Sequence, residues 1–291
     1  MANNVNYVTL NNCVKMPQEG FGVFQVPDGN VTEQAVYDAI SVGYRLIDTA
    51  AAYQNEDSVG KAIKRAISDG LVKREDLFIT TKLWVQDYGY ENTKLAFEKS
   101  LNSLGLEYLD LYLFHQPMGD YYSSYRAMID LYNRRKIRAI GVCNMYPHVL
   151  ADLCENFDVK PAINQIELHP FFQQPLALET AKNYRVVPEA WGPFAEGKHG
   201  IFTNPILTEI AVKHKKTVGQ VVWRWNVQRG VVVIPKSVHK ERMEENINIW
   251  DFALDGEDMK KIATLDLGHS EIVNHFDPNF VKMINTWKIH D

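Results

Sequence analysis

Four side chains in the first 115 residues could together do acid–base chemistry on a carbonyl: Asp48, Tyr53, Lys82 and His115. Hydride arriving at a carbonyl carbon leaves an alkoxide, which needs a proton as it forms. A tyrosine hydroxyl such as that of Tyr53 supplies one, although its ordinary pKa of about 10 is high for transfer at neutral pH. An ammonium close by, Lys82, favours the phenolate and lowers that pKa. Asp48 would hold a buried lysine charged, and a neutral His115 would aim an N–H at the developing charge. Each residue alone also fits a plain role: Asp48 as a loop or cap carboxylate, Tyr53 as an edge aromatic, Lys82 as a solvated charge and His115 as a strand cap.

What argues for a shared site is the element each residue terminates. Short runs rich in Val, Ile and Leu recur at Phe21–Gln25, Leu46–Thr49, Leu77–Lys82, Leu109–His115, Ile137–Asn144, Ala162–Leu168, Val186–Trp191 and Val231–Lys236. Helical periods lie between them, at Thr32–Ser41, Asn55–Ser68, Asn92–Leu104, Tyr121–Arg135, Pro147–Phe157, Pro175–Tyr184, Pro205–His214 and Lys240–Asn248. Strands alternating with helices imply parallel pairing, and continuous apolar runs imply strands buried on both faces. Eight such units fit a closed (β/α)8 barrel, in the α/β class, better than an open doubly wound sheet. Asp48, Lys82 and His115 then end strands two, three and four, at the carboxyl face where barrel chemistry gathers, with Tyr53 in the loop after Asp48. Outside the eight units, Tyr7–Thr9 and Val14–Met16 flank Asn11-Asn12 as an N-terminal β-hairpin. The segment from about Gly268 to Asp291 shows no regular period and reads as an irregular C-terminal tail. No linker or repeat divides the chain, so residues 1–291 are expected to form one barrel domain.

Composition bounds the partners. The chain has 291 residues, 46% hydrophobic and 23% charged, with a net charge of −5, which speaks against nucleic acid while leaving room for a local phosphate pocket. Met1 to Leu10 lacks the basic start and apolar core of a signal peptide, and no apolar run is long enough to cross a bilayer. Cys13, Cys143 and Cys154 form no CxxC pair, so a reducing cytoplasm is the natural setting. His169, His199, His214 and His239 lack ligand spacing and no HExxH occurs, so no metal is expected. Tyr90 to Lys94 and Tyr132 to Lys136 both spell YxxxK, but without a glycine-rich turn after an N-terminal strand a Rossmann dehydrogenase lacks its phosphate cradle.

Along nearly the whole chain the sequence resembles the aldo-keto reductase family. The matching stretches are Met16-Pro17-Gln18 with Gly20-Phe21-Gly22-Val23, Tyr44-Arg45-Leu46-Ile47-Asp48-Thr49-Ala50 with Tyr53 and Asn55-Glu56, and Thr81-Lys82-Leu83-Trp84. Further on come Asp110-Leu111-Tyr112-Leu113-Phe114-His115, Ile140-Gly141-Val142-Cys143-Asn144, Asn164-Gln165-Ile166-Glu167-Leu168-His169-Pro170 and Ile234-Pro235-Lys236-Ser237. Within the family the chain is similar to the bacterial 2,5-diketo-gluconate reductases. The resemblance implies a (β/α)8 barrel that binds NADP(H) in an extended form, and a tetrad falling on Asp48, Tyr53, Lys82 and His115. By the same match Asn144 and Gln165 hydrogen-bond the nicotinamide carboxamide, and Trp191 stacks on its ring. Lys236, Ser237, Val238 and Arg242 form the adenosine-phosphate site, with Glu245 and Asn246 facing the adenine. Two cations and a hydroxyl suit a 2′-phosphate, hence NADPH.

Three departures stand out: Cys143 and Gly192 replace serines common in the family, and Gln116 replaces a tryptophan. A thiol at Cys143 would make activity oxidant-sensitive. The polar Gln116 points to oxygenated small carbonyls such as keto-sugars or dicarbonyls. Phe24, Trp84, Tyr121, Tyr122 and Phe276 are candidates for the rest of the pocket wall, and each equally suits packing. The expected protein is a monomeric reductase of small aldehydes and ketones. A cofactor-binding protein without catalysis on the same barrel is the alternative, against which the intact tetrad argues.

Overall fold

The computed structural model describes residues 5–291; residues 1–4, part of the N-terminal segment read above for a leader, lie outside it. A two-stranded antiparallel hairpin, β1 (Tyr7–Thr9) and β2 (Lys15–Pro17), opens the chain. Eight parallel strands follow in sequential order: β3 (Gly20–Gly22), β4 (Leu46–Asp48), β5 (Phe78–Leu83), β6 (Leu109–Phe114), β7 (Ile137–Cys143), β8 (Ile163–Glu167), β9 (Val187–Trp191) and β10 (Val232–Val233). The ring closes where Glu19 bridges Val233 in parallel and Gly22 N–H donates to Pro235 O at 3.0 Å. This is the (β/α)8 barrel that the alternation of apolar runs and helical periods implied.

Six of the crossover helices are α1 (Asn30–Val42), α2 (Glu56–Ser68), α3 (Tyr90–Leu104), α4 (Tyr121–Asn133), α5 (Pro147–Asn156) and α6 (Pro175–Tyr184). Between β9 and β10 there are two, α7 (Pro205–His214) and α8 (Val218–Gln228), and after β10 come α9 (Lys240–Ile247), α10 (Gly256–Ala263) and α11 (Pro278–Thr286). α8 and α10 lie outside the helical periods visible in the sequence. In α8 nine of the eleven residues are buried, so it has no polar face to create a visible period. Its start is nonetheless marked by a capping box between Thr217 and Gln220. The tail also departs from expectation: it carries α11, started by Asp277 accepting from Asn279 N–H with Pro278 at the first helical position. The first and last barrel strands, β3 and β10, are shorter than the apolar runs at Phe21–Gln25 and Val231–Lys236: Gln25 takes a left-handed φ of 58° and Pro235 has no N–H to extend a ladder.

The hairpin plugs the amino-terminal mouth of the barrel. Leu10 and Met16 join Leu46, Phe78, Leu111, Ala139 and Ala162 in one buried cluster, and Asn11 and Asn12 donate to Pro161 O and Arg138 O, both at 2.8 Å. The opposite mouth stays free for chemistry. Among the described residues no helix is long and apolar enough to cross a membrane.

Packing outside the barrel is close enough to override helix propensity at Gly60. A Cβ there would meet Leu104 O at 2.5 Å, where α2 lies on the end of α3. Propensity alone favours alanine by about 1 kcal/mol, but a backbone oxygen cannot move aside. Gly60→Ala should therefore lower stability by about 1–3 kcal/mol in urea unfolding; a gain in stability would contradict this packing.

Candidate active site

β4 and β5 deliver the centre of the site. Asp48 is the last residue of β4 and pairs with Thr80 on β5, so Lys82, two residues further on, reaches past the strand end toward it. Lys82 is fully buried, and its three N–H donors have three acceptors: Asp48 Oδ1 at 2.5 Å, Thr49 O at 3.0 Å and Tyr53 Oη at 3.1 Å. Burial pulls the lysine pKa down, but Asp48 and Tyr53 beside it raise it further, and the ammonium is held. For Asp48 burial pushes upward against Lys82 and Gln165. Tyr53 sits in a single 3-10 turn, Ala51–Tyr53, fixed on its far side by Asn55. That buried amide donates to Val23 O and Val26 O at 3.1 and 3.2 Å and accepts from Thr49 Oγ1 at 2.9 Å.

Because Lys82 donates to the Tyr53 oxygen, the phenol's own proton is directed elsewhere, and Tyr53 lines the cavity above. The lysine alone was expected to bring this phenol below its ordinary value. Burial outweighs it, and the Tyr53 pKa is pushed up to about 12. The phenol is thus a protonated donor at neutral pH.

His115 follows the last residue of β6, edge-on to Tyr53 with ring centroids 5.4 Å apart. Burial, then the charge of Lys82, drives its pKa well below the ordinary histidine value, so the ring is neutral. Its Nδ1 is buried without a hydrogen-bond partner among the described residues. Trp84 stands on the other side, 5.2 Å from the His115 ring, with its N–H donated to Trp287 O at 2.8 Å.

Two amides frame the same mouth. Gln165 on β8 donates both N–H bonds of its amide, to Asp48 Oδ2 and to Glu189 Oε2, each at 2.9 Å, leaving its carbonyl oxygen for an incoming donor. Asn144, just past β7, adopts a left-handed φ of 56°, which turns its side chain across the mouth. Its Oδ1 accepts from Trp191 Nε1 at 2.8 Å. Glu189, absent from the sequence reading, is fully buried; burial, and then the charge of Asp48, raises its pKa to about 8. A protonated carboxyl and a carboxylate thus flank one amide.

The cavity between these groups measures about 450 Å³. Its wall includes Phe24, Gln116, Trp191, Phe194, Ile272 and His275, and Lys236 lies at its rim. The pocket expectations divide accordingly. Phe24 and Gln116 line it, whereas Trp84 is buried behind His115, Tyr121 packs on Phe114 and Phe276 is exposed against Tyr146. Tyr122 points away to the Asp152 carboxylate. The residues that fill their places, Ile272, Val273 and His275, come from the tail. That segment is pinned by Ser270, which donates to Glu167 Oε2 at 2.6 Å and accepts from Ile272 and Val273 N–H. Beyond the cavity, Lys236 and Arg242 are exposed cations flanking the nearly buried Ser237, followed by the exposed Val238 and Glu245 and the half-buried Asn246.

The cavity and the groups around it sit in a chain that matches known proteins over most of its length. The model of the aldo/keto reductase family covers residues 20–267. The chain belongs to the aldo/keto reductase family. Among its relatives, a glyoxal reductase of Bacillus subtilis (strain 168) is 48% identical over 260 residues, 89% of this chain and 92% of its own. The methylglyoxal reductase DkgA of Escherichia coli (strain K12) is 43% identical over 268 residues, 91% of this chain and 95% of its own. A Bombyx mori aldo-keto reductase solved in complex with NADP superposes with a TM-score of 0.87 at 35% identity, covering 92% and 95% of the two chains.

In this member of the family the thiol at Cys143 is 1% exposed, and burial raises its pKa well above the ordinary value. The oxidant sensitivity expected from its position therefore lacks the thiolate it needs. Native protein treated with iodoacetamide should be alkylated at the exposed Cys13 before Cys143 or Cys154, both buried. Early labelling of Cys143 by mass spectrometry would contradict this.

Proposed function

We propose that the chain reduces small aldehydes and ketones to alcohols with NADPH, Tyr53 being the proton donor. The observation that carries the reading is the saturation of Lys82: with all three donors used, the third on Tyr53 Oη, the phenol proton is left for the cavity. NADPH, when bound, supplies the hydride. The residues present fit it. No described residue donates to the Gln165 carbonyl oxygen, which suits the carboxamide, Trp191 offers an indole face on the cavity wall, and Lys236, Ser237 and Arg242 suit a phosphate beyond the rim. The family match and the NADP complex of a relative support the same cofactor.

As the substrate carbonyl gains negative charge on oxygen, Tyr53 gives up its proton to that oxygen and becomes a phenolate. The Lys82 ammonium stabilises the phenolate at 3.1 Å, and Asp48 keeps Lys82 charged in a site that would otherwise strip its proton. His115, neutral, orients the carbonyl oxygen through an N–H without competing as an acid. Asn144 and Gln165 hold the ring that delivers hydride, a positioning effect. The glyoxal and methylglyoxal reductases among the relatives, with Gln116 in the wall, favour dicarbonyls and keto-sugars as substrates.

Tyr53→Phe separates binding from proton donation. Its kcat for aldehyde reduction should fall by about 10²–10⁴-fold, while NADPH still quenches tryptophan fluorescence as in the parent protein. A Tyr53→Phe enzyme with near-parental kcat would overturn the reading.

A further inference from the structure

One hydrogen-bond chain around the cavity has its direction set at a single end. An indole N–H only donates, so Trp191 Nε1, 2.8 Å from Asn144, fixes Oδ1 as the Asn144 atom facing it. The Asn144 amino group must then face His115 O at 3.3 Å and Gln116 Oε1 at 3.5 Å. Gln116 accordingly turns its oxygen toward Asn144, and the same oxygen lies 3.0 Å from His275 Nε2. An acceptor at that place requires His275 to carry its proton on Nε2, leaving Nδ1 to accept from Tyr146 Oη at 3.4 Å. Burial lowers the His275 pKa to about 4, so the ring is neutral and has one such proton to place.

Both lone pairs of Gln116 Oε1 are thereby engaged. Its amino group makes no hydrogen bond to any described residue, and Gln116 lines the cavity that also holds Tyr53 and His115. The wall is otherwise largely apolar, with Phe24, Phe194, Trp191, Ile272 and Val273. A substrate that displaces water there and offers no acceptor leaves a desolvated donor unsatisfied.

We propose that the Gln116 amino group is a second-oxygen subsite, donating to the oxygen on the carbon next to the reacting carbonyl, which selects 1,2-dicarbonyl substrates over monocarbonyls. Trp191, Asn144 and His275 act as positioning residues, since they decide which end of the Gln116 amide faces the substrate. The proposal rests on the carbonyl-reduction reading above and goes beyond it by assigning the discriminating atom.

Phenylglyoxal and phenylacetaldehyde differ only in a carbonyl oxygen replaced by two hydrogens, next to the aldehyde. Their kcat/KM values with NADPH give a ratio, and comparing that ratio between variant and parent cancels their different intrinsic reactivity. In Gln116→Leu the phenylglyoxal to phenylacetaldehyde ratio should fall about tenfold. In His275→Phe, which frees the amide to turn over, it should fall in the same direction by less. Circular dichroism and NADPH binding check the fold of each; were Gln116→Leu not to fold, the ratio in His275→Phe decides. A ratio within twofold of the parent, with both aldehydes turned over, overturns the subsite alone. No turnover of either aldehyde by the parent protein overturns the reduction reading, and this proposal with it.

Discussion

A single buried ammonium organises the carboxyl mouth of this barrel. Taking a lysine charge out of water is unfavourable by several kcal/mol unless its partners are close and complete. Lys82 meets that demand with three acceptors drawn from β4 and the turn that follows it. The register of β4 against β5 sets the carboxylate, the strand end supplies Thr49 O, and the 3-10 turn brings Tyr53. Moving any one would leave a buried charge short of a partner. Burial and then the same charge depress the pKa of His115, and at Tyr53 and Asp48 the charge opposes burial without overcoming it, so the imidazole and the phenol both stay neutral.

Around that charge the polar groups are arranged so that most hydrogen bonds have only one possible direction. Gln165 gives both its protons to carboxyl groups, one of which, Glu189, is held protonated at neutral pH by burial and by the charge of Asp48. Trp191 gives its proton to Asn144, and the polarity runs on through Gln116 to His275. Such a network presents preoriented atoms to a ligand instead of freely turning amides, which lowers the ordering required on binding. It also joins the residues suited to the cofactor to Gln116 and His275 on the cavity wall.

Much of this was legible in the chain before its fold was known. Asp48, Lys82 and His115 each end an apolar run, and the barrel rule that strand ends converge is enough to bring them together. The amides and Trp191 needed the family resemblance, because Gln165 lies inside β8 and nothing local separates it from a packing residue. Glu189 escaped notice for the same reason, a carboxyl buried in mid-strand. Three of the pocket residues were illegible on physical grounds. Ile272, Val273 and His275 reach the cavity from a tail more than a hundred residues from Gln116 in sequence, held by a Ser270–Glu167 bond that no periodicity announces. Trp84 misled in the opposite sense, since its closeness to Lys82 in sequence hides that its ring turns behind His115 to meet Trp287.

On the proposed reading the Asp48–Lys82 pair serves the chemistry of Tyr53 and not the stability of the barrel. A double variant, Asp48→Asn with Lys82→Met, removes both charges together and leaves neither unpaired. Its melting temperature and its aldehyde-reduction kcat, measured side by side with the parent protein, separate the two roles. The melting temperature should equal or exceed the parent's, as replacing buried ion pairs often gives, with kcat reduced by about a hundredfold or more. A double variant that melts far lower yet, while folded, retains near-parental kcat would contradict it.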